Sequence, residues 1–219
     1  MSKSTSQHPK RRFVLPAVIG GGAASLLLAL SMSPTVAAFT ASISNSTNTA
    51  ASGTLIMQET SGSGSSAATC TSTDGVGGIS TNSATCSTIN EYGGSAALVP
   101  GTPVSTAVTI KNTGTVPAKT FTLGAGACAQ SANGAVNGIA TDLCSKITVK
   151  IDSGAKTVYN GTLAAFDTQS VDVLNKLGTT SVDAGTSVSF TFTVTLDAAA
   201  DNSYAGLLAS QPLTWTFNS

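Results

Sequence analysis

Four cysteines are the most reactive side chains of this sequence, and their spacing is regular. Cys70 and Cys86 are separated by sixteen positions, and so are Cys128 and Cys144. Four cysteines allow three disulfide connectivities. We favour the two consecutive pairs, because each would close one long Gly-, Ser- and Thr-rich loop and stabilise the fold by roughly 3 kcal/mol. Zinc is the alternative, but this part of the chain contains no histidine and no CxxC pair.

Catalytic groups are scarce. The single histidine is His8, so no HExxH zinc motif or Ser-His-Asp triad is available further along the chain. Paired carboxylates would suit glycoside hydrolysis, but the aspartates mostly follow strand ends and turns, where Asp supports backbone hydrogen bonds. These aspartates are Asp142, Asp152, Asp167, Asp172, Asp183 and Asp197. The sequence therefore predicts no enzyme, no metal site and no cofactor.

Four aromatic residues suggest a carbohydrate-binding module as an alternative function, because their rings could stack on a sugar. Trp215 alternates with Leu213 and Phe217 in the last strand pattern, which favours a position in the core. Tyr92 and Tyr204 lie outside such patterns and are freer to bind a ligand. The four candidates are Tyr92, Tyr159, Tyr204 and Trp215.

The first 38 residues have the features of a secretory signal peptide. Three basic residues at positions 10–12 precede an apolar block at 13–30, and small residues follow. The small side chains at Val36 and Ala38 predict cleavage between Ala38 and Phe39. The alternative is a retained membrane anchor, since eighteen apolar residues could just span a bilayer.

Removal of the signal changes the charge of the protein. Lys3, Lys10, Arg11 and Arg12 leave with it, and the mature chain keeps six lysines against ten carboxylates, a net charge of −4. Clustered Lys and Arg side chains are needed to hold a phosphate backbone. The composition therefore excludes nucleic acid as a partner, and contact with the membrane is expected only transiently, through the signal peptide.

Apolar residues at every second position dominate the mature chain, and no helix-length periodicity appears. Turn residues separate these segments, which predicts an antiparallel β-sandwich with one buried face per sheet. Short helical turns are predicted at 163–166 and 198–204. Strands are predicted at 54–59, 104–110, 120–123, 146–152, 156–163, 170–174, 187–196 and 212–217.

Five motifs follow one another along the chain. They are the signal ending in AF, SGTLIM at 52–57, LVPG with VTIKNTGTVPA at 98–118, SVDAGTSVSFTFTVTLD at 181–197 and NSYAGLLASQPLTWTF at 202–217. In this order they resemble the TasA and camelysin family of secreted bacterial matrix proteins. The segments between 61 and 95 and between 125 and 141 depart from the family pattern as insertions.

The resemblance implies a jelly-roll sandwich whose copies assemble into fibres on the cell surface, with the N-terminal strand of one subunit completing the sheet of the next. The expected organisation is a signal peptide at 1–38, an extended donor strand and linker at 39–50, and a single sandwich domain at 51–219. The expected partner is a further copy of the chain, with an accessory assembly protein or a matrix polysaccharide as additional partners.

Residues 39–46 have the pattern of such a donor strand. Phe39, Ala41 and Ile43 alternate with hydroxyl side chains, so one face could fill pockets while the backbone pairs with an exposed sheet edge. The alternatives are an ordinary edge strand of the same domain and a frayed terminus.

Overall fold

The structure, a computed structural model, describes residues 42–45, 47–94 and 97–219. The predicted cleavage site at Ala38 and Phe39 lies outside these residues, as do two of the three residues of the predicted donor face, Phe39 and Ala41. The third, Ile43, is described, and its side chain is 93% exposed. Residues 51–219 form one compact unit.

The regular structure of this unit consists mainly of antiparallel strands. Three short helices interrupt them, at Leu143–Lys146, Leu163–Phe166 and Val173–Leu177. The strands within the described residues are β1 (Met57–Ser61), β2 (Ala68–Thr71), β3 (Val104–Asn112), β4 (Thr120–Ala125), β5 (Ala129–Ala132), β6 (Ile147–Ser153), β7 (Lys156–Thr162), β8 (Ser170–Asp172), β9 (Ser187–Leu196), β10 (Leu207–Ser210) and β11 (Leu213–Asn218).

The strands form sheets of unequal width that pack against each other. The largest has six strands in the order β2-β1-β3-β9-β6-β7. A second sheet has three strands in the order β11-β4-β8, and β10 pairs with β5 in a separate two-stranded sheet. The predicted antiparallel β-sandwich is thus confirmed, while the jelly-roll connectivity stays a prediction.

Alternating apolar residues of the central strands build the core, as predicted. In β9, Phe190, Phe192, Val194 and Leu196 are buried, while the residues between them face outward or are only partly buried. Phe121 of β4 packs edge-on against Phe190, with ring centroids 5.9 Å apart. Because β9 lies in the middle of the wide sheet and β4 in the middle of the narrow one, this contact joins the two layers.

The predicted strand at 170–174 is wrong in its second half. The strand ends at Asp172, and a helix follows from Val173 to Leu177. The Asp172 carboxylate accepts a hydrogen bond from the Asn175 backbone N–H at 3.1 Å, which is the usual cap of a helix N-terminus. Gly178 ends the helix with φ of 73°, a conformation that glycine adopts most readily.

Both predicted cysteine pairs are disulfides in the structure. Cys70 is bonded to Cys86 and Cys128 to Cys144, with Cα atoms 6.0 and 6.2 Å apart. Such bonds are typical of proteins from an oxidising compartment. In the part of the chain that the structure describes, no helix is both long and apolar enough to cross a membrane.

A fully buried asparagine fixes the turn after β3. The Asn112 side-chain Nδ2 donates to the carbonyls of Val116 and Val182, at 2.8 and 3.0 Å, and its Oδ1 accepts from the Gly114 N–H at 3.0 Å. The side chain therefore joins the end of β3, its turn, and the segment that leads into β9. Buried polar groups of this kind are costly when left without a partner.

We predict that Asn112→Ala lowers the free energy of unfolding by about 3 kcal/mol, because it leaves the buried Gly114 N–H and the partly buried Val116 carbonyl without their side-chain partner. Asn160→Ala is the matched control, since Asn160 is exposed on β7 and its loss should change stability by less than about 0.5 kcal/mol. Urea unfolding followed by circular dichroism measures both. Equal effects of the two substitutions would refute the role of Asn112.

Candidate functional site

A groove of about 940 Å³ lies between the wide sheet and β11. One wall consists of Leu55, Met57 and Glu59 on and before β1, with Cys70 of β2. The opposite wall is the continuous stretch 208–218, which contains most of β10 and all of β11. Residues 82–94 contribute most of the remaining lining. Every residue of β11 lines the groove, including those whose side chains point to opposite faces of the sheet. The groove is therefore bordered by the edge of β11 as well as by one of its faces.

The edge of β11 that borders the groove is unpaired. Along its length β11 pairs with β4, and it has no strand on its other side among the described residues. The Gly126 N–H donates to the Pro212 carbonyl, and this bond sets the alternation along the ladder. By that alternation, the backbone N–H and C=O groups that point away from β4 belong to Leu213, Trp215 and Phe217.

The groove has an apolar floor. Trp215 packs against Phe190 and Phe121, with ring centroids 4.8 and 5.4 Å apart. Leu55 and Met57 on the opposite wall are half-buried and pack against the core. Such a surface suits an extended segment with apolar side chains at alternate positions.

The chain has two glutamates, Glu59 and Glu91, and both line the groove. Glu59 pairs with the buried Ile110 of β3, so its side chain points inward. The Glu91 Oε1 accepts a hydrogen bond from the Trp215 Nε1 at 2.8 Å. One buried carboxyl oxygen of Glu59, Oε1, has no hydrogen-bond partner among the described residues.

Burial disfavours the charged form of both carboxyl groups. It raises the pKa of Glu91 to about 8; the negative charge of Glu59 raises it too, while the hydrogen bond from Trp215 acts in the opposite direction. Burial also raises the pKa of Glu59. No lysine is among the described residues that line the groove, so no cation there offsets the two carboxylates. Burial and the neighbouring carboxylate therefore favour the protonated form of Glu91.

Residues 82–94, which we call the strap, are bonded to both walls of the groove. At one end, the Asn82 Nδ2 donates to the Leu55 carbonyl at 2.6 Å, and the Cys70–Cys86 disulfide ties the strap to β2. Near the other end, Glu91 accepts from Trp215 of β11. The strap therefore crosses from the β1 side of the groove to the β11 side.

Gln211 anchors the end of the strap. It is 9% exposed, and its Oε1 accepts a hydrogen bond from the Tyr92 hydroxyl at 3.0 Å. Its Nε2 donates to the carbonyls of Gly126 and Leu163, at 2.9 and 3.1 Å. One amide thus connects the strap, the end of β4 and the helix that begins at Leu163.

A smaller cavity lies between the outer strands β7 and β8, at the other side of the sandwich. Its volume is about 410 Å³, and polar side chains such as Asn160, Gln169, Asp172 and Lys176 contribute much of its lining. It lacks the apolar floor of the groove. An incoming strand with apolar side chains therefore finds its better match at β11.

Two of the tyrosines predicted as sugar-binding candidates are engaged within the protein. Tyr159 stacks on Phe166, with ring centroids 3.9 Å apart. The Tyr204 hydroxyl donates to Asp142 at 2.8 Å, on the protein surface. Tyr92 and Trp215 both line the groove. The sequence predicts Tyr92 to be free to bind a ligand and Trp215 to lie in the core.

The aspartates support backbone and side-chain hydrogen bonds. Asp197 accepts from the Ala199 N–H at 2.9 Å, and Asp152 accepts from the Thr157 hydroxyl at 2.7 Å. The Lys150 ammonium lies 2.7 Å from Asp152. Within the described part of the chain, no three His, Cys, Asp or Glu side chains cluster closely enough to hold a metal ion.

Sequence reasoning missed Glu59, Glu91 and Gln211. The sequence does contain a signal for Glu59. In the first predicted strand it continues the every-second-residue pattern of Leu55 and Met57, so its side chain lies on the same inward face. Glu91 and Gln211 carry no local signal, since the residues that they contact are distant in sequence.

Fold and site together define an antiparallel β-sandwich with two disulfide-closed loops and an apolar groove beside the unpaired edge of β11. Comparison with protein-family models and with curated proteins finds no match to this chain. The function is therefore argued from the groove and from the sequence motifs.

We predict that Tyr92→Phe speeds hydrogen exchange of the strap amides about fivefold, because it removes one hydrogen bond worth about 1 kcal/mol. Tyr204→Phe also removes a tyrosine hydroxyl, but from a surface bond outside the groove, and it should leave the strap unchanged. Mass spectrometry of peptides covering 82–94 measures both. Equal exchange in the wild type and Tyr92→Phe would show that Gln211 does not hold the strap.

Proposed function

We propose that this protein is a structural subunit of an extracellular fibre, in which the N-terminal strand of one copy docks in the groove of the next. The observation that carries the proposal is the unpaired edge of β11 beside an apolar groove. An edge strand normally needs protection, because its free N–H and C=O groups are a template for another chain. Here the edge borders an apolar groove.

The predicted donor strand suits this groove in length and pattern. β11 has six residues, about 20 Å of extended chain, and residues 39–46 are long enough to lie along it. Phe39, Ala41 and Ile43 would face the floor near Trp215, while the alternate hydroxyl residues would face solvent. Burial of Phe39 and Ile43 would contribute about 1.5 to 3 kcal/mol each.

A second copy is the occupant that we propose, because a strand at one end and a groove on the body make a head-to-tail contact. Such a contact is heterologous. Unless the rotation between neighbouring copies closes a ring, repeated contacts build an open filament. An ordinary strand of the same domain would fill the groove within one molecule and would leave a monomer.

The other proposed properties agree with a surface fibre. The predicted signal peptide implies secretion, and the two disulfides suit the oxidising environment that follows it. We propose no catalytic role, no cofactor and no nucleic-acid partner. An accessory assembly protein or a matrix polysaccharide is the additional partner that the family resemblance suggests.

The motifs shared with the TasA and camelysin family coincide with parts of the proposed acceptor. The stretch 98–118 contains β3 and Asn112, the stretch 181–197 contains β9, and the stretch 202–217 contains β10 and most of β11. Of these three stretches, 202–217 lines the groove directly, through residues 208–217, and the other two supply strands of the wide sheet behind it.

We predict that Ile43→Asp slows fibre growth at least about tenfold, because the loss of 1.5 to 3 kcal/mol of burial weakens docking by that factor or more. Ser42→Asp is the matched control, since it adds the same charge on the opposite face of the strand and should leave growth nearly unchanged. Electron microscopy and light scattering of the purified mature protein over hours measure growth.

Deletion of residues 39–46 should leave a folded monomer that forms no fibre. Fibres that persist after the deletion would reject the donor strand. Retention of polysaccharide by the monomer, lost on substitution of Tyr92 or Tyr204, would instead support the carbohydrate-binding alternative.

A further inference from the structure

The strap stands in the way of any strand that enters the groove. It is bonded through Asn82 to Leu55, just before β1, and through Glu91 to Trp215 of β11, so it spans the groove that an incoming strand would enter. The Cys70–Cys86 disulfide fixes its first half covalently to β2. The second half has no covalent tether: Glu91 and Tyr92 hold it by hydrogen bonds, and the Tyr92 ring also packs near Phe192, with ring centroids 6.4 Å apart. This half can move without breaking a covalent bond.

We propose that the strap is an autoinhibitory segment that keeps the groove closed, and that the contact of Glu91 with Trp215 is its proton-dependent latch. The proposal about closure rests on the contacts of the strap alone. Its consequence for fibre growth rests on the function proposed above.

The surroundings of Glu91 explain why a proton controls the latch. From β1 the carboxyl of Glu59 faces the same space, and from β11 the Trp215 indole donates its N–H to Glu91. Within the strap, Tyr92 is the neighbouring titratable group, and burial together with the charge of Glu91 raises its pKa. Among the described lining residues there is no lysine or aspartate. Ionised Glu91 therefore meets a second carboxylate, in a poorly solvated site, without a compensating cation.

The sign of the pH dependence follows from the two states of Glu91. In the closed strap its pKa is about 8, and in an opened strap it returns toward the ordinary value near 4.5, because water solvates the carboxylate. Between pH 4.5 and pH 8, closing of the strap is therefore accompanied by uptake of a proton at Glu91. The closing equilibrium is strongest below pH 4.5, weakens by up to about tenfold per pH unit as the pH rises toward 8, and levels off above.

Hydrogen exchange of the intact mature chain at pH 5 and pH 8 tests the latch, with rates corrected for the intrinsic effect of pH. The protection factors of the amides in residues 82–94 should be at least about tenfold lower at pH 8 than at pH 5. Amides of β9 serve as the internal control and should not change in parallel. In Glu91→Gln the amide oxygen can still accept from Trp215 but cannot ionise, so strap protection should fall much less between pH 5 and pH 8 than in the wild type, with Glu59 as the only buried carboxyl left to titrate among the described residues of the groove.

Glu59→Gln distinguishes a latch from a merely structural contact. It removes the charge that raises the pKa of Glu91, so the loss of strap protection between pH 5 and pH 8 should be smaller than in the wild type. Equal protection of the wild-type strap at both pH values, or an equal loss in Glu91→Gln, would overturn the proposal.

Fibre growth provides the second readout. The wild type should elongate faster at pH 8 than at pH 5, while Glu91→Gln should elongate slowly at both. A strap that opens with pH while no fibre forms under any condition would leave the latch intact and reject the fibre function. Growth that is equally fast in the wild type and Glu91→Gln at pH 8 would reject the latch as a control of assembly.

Discussion

The unpaired edge of β11 is the constraint on which the rest of the structure depends. The wide sheet has six strands, and the narrow sheet that contains β11 has three. The inward side chains of β1 therefore face a space beside β11 that no described strand fills. Three features follow from this mismatch: the half-buried state of Leu213, Trp215 and Phe217, the exposed backbone groups of the same residues, and the groove itself.

The strap and the two glutamates limit the access of other chains to the edge of β11. An apolar groove with free backbone groups invites unspecific association. In the single subunit the strap covers this groove. The disulfide at Cys86 and the hydrogen bond between Glu91 and Trp215 hold the strap in place. An inward carboxylate at Glu59 makes the groove less favourable to purely apolar segments. The same features that protect the edge can regulate its use, because one of them depends on a proton.

Much of the fold could be predicted because its central strands follow one physical rule. In β9 apolar residues alternate without interruption, and in β3 Thr106 is the one polar residue on the inward face from Val104 to Ile110. The boundaries of both strands agree with the predicted ones to within two residues. The short strands β2, β5 and β10 were missed. Each has four residues and lacks clear alternation. β5 and β10 pair with each other across a long sequence separation, and β2 pairs with the nearby β1.

The candidate site could be predicted only in part, for a related reason. The donor pattern at 39–46 and the apolar alternation around Trp215 are local, and the sequence contains both. The acceptor depends on the absence of a strand next to β11 and on a contact between Glu91 and Trp215, which lie 124 positions apart. No local pattern encodes such a contact.

The most direct test of the central claim is a photo-crosslinking amino acid placed at position 43 in the mature chain. Isotope-labelled and unlabelled copies are mixed before assembly, and mass spectrometry then identifies which chains and residues are joined. The account predicts crosslinks in fibres from position 43 of one copy to residues 213–217 of another. Crosslinks to the same copy, or to a region away from β11, would contradict it.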